Sequence, residues 1–282
     1  MYRADHVKHK KIYKQMKKLL LMSILMLSCV SLFAQHSLEK LWESDSLTLK
    51  SPESVLYDSK SNSLYVSSMG SGSIVQMGLD GKIIKADWVS ALNSNKGSAI
   101  FNGLLYTAET SGIVVIDIEK ASVIRRIPIE GAGMLNDLAI DTKGVVYVSD
   151  TRAGKVYRIE EDKPSLYLEN LPGANGLLIV NDNLYVLTSS SVQKADANKG
   201  LTKIADGFEN GLDGIVMVAE NEFVISNYRG ILYYLNADGT RQLLLDSRAN
   251  RIMANDIGYN PKTHTLYVPS FGTNRIIAYK VK

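Results

Sequence analysis

Four short stretches, GMLNDLAID (133–141), GANGLLIV (173–180), GLDGIVMV (211–218) and MANDIGYN (253–260), place Asn or Asp directly before an apolar run. SPESVLYD (51–58) and KGSAIF (96–101) put Glu53 and Lys96 in the same position. The set is therefore Glu53, Lys96, Asn136, Asn175, Asp213 and Asn255, and every member except Lys96 carries a side-chain oxygen. Converging oxygens suit a hard cation, and Ca²⁺ accepts about six to eight of them with flexible geometry. Two carboxylates, Glu53 and Asp213, with two carboxamides, Asn136 and Asn175, would balance its charge and leave positions for water and substrate. The set holds no thiol or imidazole, which argues against zinc or copper. Mg²⁺ fits less well because it prefers to keep its own waters. Taken singly, Asn and Asp before a strand are ordinary turn formers. Their recurrence in phase is what points to a site.

Convergence requires a repeating scaffold, and the chain has one. The segments SLYVSSM, LLYTAET, VVYVSDT, NLYVLTS, EFVISNY and TLYVPSF carry Tyr65, Tyr106, Tyr147, Tyr185, Phe223 and Tyr267. These aromatics are spaced by 41, 41, 38, 38 and 44 residues. Six units of about 40 residues match the length of a four-stranded propeller blade. Within each unit an apolar strand comes first (SVLYD, DLAID, GLLIV), then a polar turn, then the aromatic strand. A third strand follows (SIVQMGL, GIVVIDI, KVYRIEE, GILYYLN), and Asp80-Gly81 or Asp238-Gly239 turns the chain into a fourth. Amphipathic helical spacing is absent after residue 35. The fold class expected is all-β: a six-bladed β-propeller with four-stranded blades. The last unit lacks a fourth strand, while SLEKLWES (37–44) has no unit of its own. We expect this N-terminal strand to join the last blade and close the ring, which removes exposed sheet edges.

In such a ring the first strand of every blade is innermost. Its leading residue faces the central channel, so the six positions share one mouth. The loops after the aromatic strands surround that mouth and bring Ser68, Met69, Glu109, Asp150, Arg152, Ser189, Ser190, Tyr228, Arg229 and Phe271. Arg152 and Arg229 are candidates for an anionic substrate group, and Tyr228 and Phe271 for an apolar wall. Asn255, Met134, Asp150 and Glu109 complete the substrate-side set.

Composition bounds the remaining possibilities. The 282 residues are 45% apolar and 22% charged, an ordinary globular balance. Residues 1–35 join a basic leader to an uncharged apolar run ending Phe33-Ala34-Gln35, the pattern of a secretory signal peptide. We expect residues 36–282 to form a single propeller domain, exported to a periplasmic or secreted location. Cys29, the only cysteine, lies in the leader, where Met26-Leu27-Ser28-Cys29 faintly resembles a lipidation site. The leader holds seven of the 32 Lys and Arg but one of the 29 Asp and Glu. The remainder is slightly acidic, with no nucleic-acid signature and no expected membrane span. A monomer is expected.

Glu53, Asn136, Asn175 and Asp213, leading blades one, three, four and five, resemble the motif residues of the gluconolactonase/regucalcin (senescence-marker protein) family. The resemblance runs from about Glu39 to Lys282. It implies one divalent cation held by Glu53, Asn175 and Asp213, with Asn136 beside metal and substrate. It further implies lactone hydrolysis, with the metal polarising the carbonyl and Asp213 assisting attack by water. The family's third-blade motif is usually Arg-x-Asn-Asp, and here it reads Met134-Leu135-Asn136-Asp137. The arginine that contacts a sugar-acid lactone is therefore absent. A more apolar lactone or ester, as for paraoxonase-like relatives, suits Met134 better, although this sequence offers little for their histidine relay.

Asp137 and Asp256 are alternative bases, each with the plainer role of capping a loop. A Ser-His-Asp triad is not supported, because no Gly-x-Ser-x-Gly elbow occurs. The rival reading is a non-catalytic propeller that binds a ligand or protein. GVVYVSDTRAGKVYRI resembles NHL-repeat blades, and propellers are reused widely for binding. A ring of unlike oxygen donors separates the two readings, since a pure interaction propeller would tolerate Ala at Asp213.

Overall fold

Alternation of inward and outward side chains along short apolar runs, broken by Asp-Gly and Asn-rich turns, yields strands and hairpins throughout. The computed structural model describes residues 35–282 together with Lys14, Met16 and Lys17. The expected signal peptide and Cys29 otherwise lie outside the described residues. Residues 36–282 build six antiparallel sheets of four strands each. The innermost strands are Pro52–Asp58, Ser98–Phe101, Leu135–Ile140, Leu177–Val180, Leu212–Ala219 and Gly258–Asn260. This is a six-bladed β-propeller. Among the described residues no helix is long and apolar enough to cross a membrane.

The ring closes as expected. Leu38–Glu43 pairs antiparallel with Arg275–Val281 and becomes the outer strand of blade six. Ser37 and Lys282 exchange backbone hydrogen bonds at 3.1 and 3.0 Å, and Arg275 pairs with Glu43. Trp42 then reaches from this strand into blade one, where its indole N–H donates to the Leu79 carbonyl at 2.9 Å. Its ring lies where a Cβ on Gly81 would sit, and Gly81 also needs φ +82° to complete the hairpin turn. The closure thus depends on one aromatic side chain meeting one glycine. Trp42→Ala is expected to destabilise the protein by about 3 kcal/mol, the lower end for a buried aromatic truncation because the ring is half-buried. The urea midpoint checks this, and an unchanged midpoint would show that the backbone pairing closes the ring unaided.

The core is distributed rather than central. Six apolar clusters lie one between each pair of neighbouring blades. Five of the repeated aromatics point the same way round, into the contact with the next blade. On that side Tyr65 also meets Trp88 of its own blade, with ring centroids 4.4 Å apart, and Tyr147 meets Tyr167 of its own blade at 5.0 Å. Phe223 departs from this pattern. Pairing of Asn227 with Leu212 corresponds to Asp150 with Leu135, which makes Val224 the counterpart of Tyr147. Phe223 therefore faces the opposite side and packs on Tyr185 of blade four at 5.0 Å. A shift of one residue along a strand reverses its face.

Candidate metal and substrate site

The six leading residues meet. Glu53, Lys96, Asn136, Asn175, Asp213 and Asn255 all line one cavity of about 300 Å³ at the axis. Its remaining walls are Met69, Met134, Thr151, Tyr228, Met253 and Phe271. Local backbone geometry aims these side chains inward. In blades one, three and five the strand register shifts at Glu53, Asn136 and Asp213. Such a bulge leaves a residue unpaired and re-aims its side chain. In blades two, four and six the leading N–H groups of Lys96, Asn175 and Asn255 bond to Ala108, Leu187 and Pro269 of the second strand, at 2.9–3.0 Å.

The residue after each mouth position is Ser54, Gly97, Asp137, Gly176, Gly214 or Asp256. Glycine occurs here where a neighbouring strand passes too close for a side chain. A Cβ on Gly176 would lie 2.3 Å from the Asp213 carbonyl oxygen, and one on Gly97 would lie 2.2 Å from Asp137 Oδ1. The inner strands thus nest, and this holds the mouth groups within reach of one another.

Asp213 is the hub of the polar network. Asn175 Nδ2 donates to its Oδ1 at 2.8 Å and Asn255 Nδ2 to its Oδ2 at 3.2 Å. Asn136 Nδ2 donates to Thr151 Oγ1 at 3.0 Å, and that hydroxyl donates to the Ala174 carbonyl at 2.8 Å. Two acceptors are left over: Glu53 Oε2 and Asn175 Oδ1 are buried with no hydrogen-bond partner. An unpaired buried polar atom costs about 1–3 kcal/mol, so natural folds rarely keep one without use. Both are hard oxygens lining the same cavity, which is the donor chemistry a divalent cation takes. Among the described residues no three His, Cys, Asp or Glu side chains group together for an ion. Any such site rests on two carboxylates assisted by carboxamides.

Burial makes these carboxylates reluctant anions. It raises the Glu53 pKa well above the usual range, the Asp213 charge raises it further, and the Lys96 ammonium opposes both. Burial also pushes Asp213 up to about 6, against the stabilising Asn175 hydrogen bond and the charge of Lys96. A cation at the mouth would supply the missing counter-charge.

Beneath the mouth lies a channel of about 460 Å³ with mainly apolar walls, including Val55, Leu138, Ile215 and Ile257. Asp137 and Asp256 line it rather than the mouth. Asp137 accepts the N–H groups of Leu138 and Leu177, each at 2.7 Å, and so ties blade three to blade four. Asp256 accepts the Ser54 hydroxyl at 2.6 Å and joins blade six to blade one. Burial raises both, Asp256 to about 7.

The rim residues divide. Met134, Asn255 and Tyr228 line the cavity. The Asp150 carboxylate instead accepts N–H groups from Gly133, Met134 and Ala153, shaping the loop that presents Met134. Glu109 is engaged by Arg126 and by the Asn93 N–H. Arg152 packs its aliphatic stem near Gly133, and Arg229 lies over the Tyr228 ring at 5.7 Å. Neither arginine lines the mouth. The two histidines among the described residues lie elsewhere: His36 stacks on Tyr234 at 3.5 Å, and His264 contacts the Tyr259 hydroxyl at 3.0 Å. Met253 and Thr151 were not singled out from the sequence. Met253 had a legible signal, because it precedes Asn255 by two residues just as Met134 precedes Asn136.

No family model matches the chain, and no curated protein matches it in sequence. Solved structures do match in shape. A gluconolactonase from Xanthomonas campestris superposes with a TM-score of 0.71 at 15% identity, covering 88% of this chain and 91% of its own. A luciferin-regenerating enzyme gives 0.65 at 15% identity, covering 88% and 95%. A catalytically inactive virginiamycin B lyase from Staphylococcus aureus, solved with quinupristin, gives 0.66 at 11% identity, covering 87% and 99%. The likeness is one of fold. At these identities it carries the propeller architecture and leaves the chemistry to the residues at the mouth.

Proposed function

We propose that the protein is an exported hydrolase of lactones or esters, working with a divalent cation, Ca²⁺ in the first place. Glu53, Asn136, Asn175 and Asp213 would hold the ion, and residues 1–35 would direct export. The observation that carries this reading is the convergence of all six leading residues on one cavity, with Glu53 Oε2 and Asn175 Oδ1 unpartnered. The fold neighbours named as a gluconolactonase and a luciferin-regenerating enzyme are consistent with it.

When bound, the cation would supply Lewis-acid polarisation of the substrate carbonyl. The chain's own residues would do the rest. Asn175 and Asn255 hold both oxygens of Asp213 in place, so its carboxylate can orient a water and accept its proton. Cation binding lowers that basicity, which makes orientation the larger part of its contribution. Thr151 fixes Asn136 at the substrate side. Met69, Met134, Met253 and Phe271 provide an apolar wall that excludes bulk water, and they suit an uncharged, apolar acyl group better than a polyhydroxylated sugar lactone.

The test is a panel of aliphatic lactones and short-chain aryl esters, assayed with Ca²⁺ and after EDTA. Turnover that needs the cation and favours apolar acyl groups is expected. Tight Ca²⁺ binding with no turnover across the panel would instead favour a non-catalytic binding propeller. Intact mass of the exported protein separates cleavage near Gln35 from lipidation at Cys29.

A further inference from the structure

Lys96 is the exception in the ring. It occupies the position filled elsewhere by Glu, Asn or Asp, and it lines the cavity with them. Its backbone is pinned: the N–H bonds to Ala108 and the carbonyl accepts the Ser67 hydroxyl. The side chain therefore leaves from a fixed point. Its ammonium donates to the Met69 thioether at 3.4 Å, and among the described residues it makes no ion pair with a carboxylate. A thioether is a weak acceptor, whereas an ammonium offers three N–H donors. Most of its hydrogen-bonding capacity is free to meet an incoming oxygen.

Charge balance says which oxygen. Of the charged groups that line the mouth, the two carboxylates Glu53 and Asp213 would neutralise a divalent cation, and Lys96 adds one positive charge beyond that balance, whereas Asp137 and Asp256 line the channel beneath. Thioether and aromatic walls solvate such a charge poorly. A monoanion with an apolar body would complete the site. Resting on the hydrolase reading above, we propose that Lys96 is the product-binding residue of the mouth and holds the carboxylate released by hydrolysis. Water adds across the acyl bond and the bond from acyl carbon to alcohol oxygen breaks. One proton of the water goes to the alcohol, the acid leaves as carboxylate, and its proton passes to solvent. The reaction thus creates at the mouth the anion that the surplus charge favours. Lys96 also repels the divalent ion, so it weakens cation binding while strengthening anion binding.

The experiment is calorimetric and needs no turnover. Ca²⁺ is titrated into the metal-stripped protein and its Lys96→Met and Lys96→Arg variants. Hexanoate and its neutral match hexanamide are then titrated into each Ca²⁺-loaded protein. Hexanoate is expected to bind wild type about tenfold more tightly than hexanamide, as for a charge-assisted hydrogen bond. That preference should fall severalfold in Lys96→Met, where only the cation still favours the carboxylate, persist in Lys96→Arg, and be accompanied in Lys96→Met by tighter Ca²⁺ binding. If Ca²⁺ binds but wild type treats the two ligands alike, or if Lys96→Met keeps the preference undiminished, the inference fails and the metal site stands. Absence of Ca²⁺ binding in every protein would remove the hydrolase reading and this inference with it.

Discussion

Asp213→Asn is expected to weaken divalent-cation binding at least about 100-fold, on the order of 3 kcal/mol, and to abolish cation-dependent hydrolysis. The substitution preserves shape but removes one of the two negative charges that line the cavity with Asn136, Asn175 and Asn255. It also breaks the local hydrogen-bond logic. Both Asp213 oxygens accept, one from Asn175 and one from Asn255. An amide NH₂ at position 213 would face a donor on one side, forcing Asn175 or Asn255 to turn away. Folding should survive, because the pairing of Leu212–Ala219 with its neighbour runs through backbone groups. Calorimetry with Ca²⁺ on wild type and variant, beside far-UV spectra, makes the comparison. Equal binding in the two proteins would place the cation elsewhere and leave the ring of oxygens as a recognition platform.

Without the cation, the protein is expected to lose stability as pH rises from about 4 to 7, and Ca²⁺ should restore it most at the upper end. The sign follows from where the protons sit. Asp213 titrates at about 6 in the folded chain against an ordinary 3.8, and Asp256 at about 7, both chiefly because they are buried. Glu53 and Asp137 are raised in the same direction. A raised pKa means that the folded state holds its proton more tightly than the unfolded state does. Stability from that proton is fully present below the unfolded pKa and is lost as pH climbs through the folded one. Cation binding favours the ionised form and opposes this loss. Thermal melts of the stripped protein at pH 5 and pH 8, with and without Ca²⁺, read both effects. A Ca²⁺ shift in melting temperature no larger at pH 8 than at pH 5 would uncouple these carboxyls from the ion.

The two predictions draw on different levels of information. The identity of Asp213 as a mouth residue is legible in the linear chain, because Leu212-Asp213-Gly214 recurs in phase with five similar steps. The shift in its proton affinity is not, because burial and the orientations of Asn175 and Asn255 arise only after six blades have packed.

The sequence by itself determined the blade count, the strand order within blades, the closing role of residues 37–44 and the six positions at the mouth. These follow from local periodicity: alternation of two along a strand and a repeat of about 40 residues along the chain. Only the tertiary structure decided which side chains stay available there. Asp150 and Glu109, equally polar in the sequence, turn into hydrogen bonds within and beside their loops. Arg152 and Arg229 lie outside the lining, whereas Met253 and Thr151 enter it. Phe223 and Val224 exchange faces through a one-residue difference in register. Lys96 extends its ammonium toward the Met69 thioether rather than to a carboxylate. The physical reason is common to all of these. Periodicity sets the face from which a side chain departs, but its hydrogen-bond partner is chosen among groups that are distant in sequence and brought together by packing.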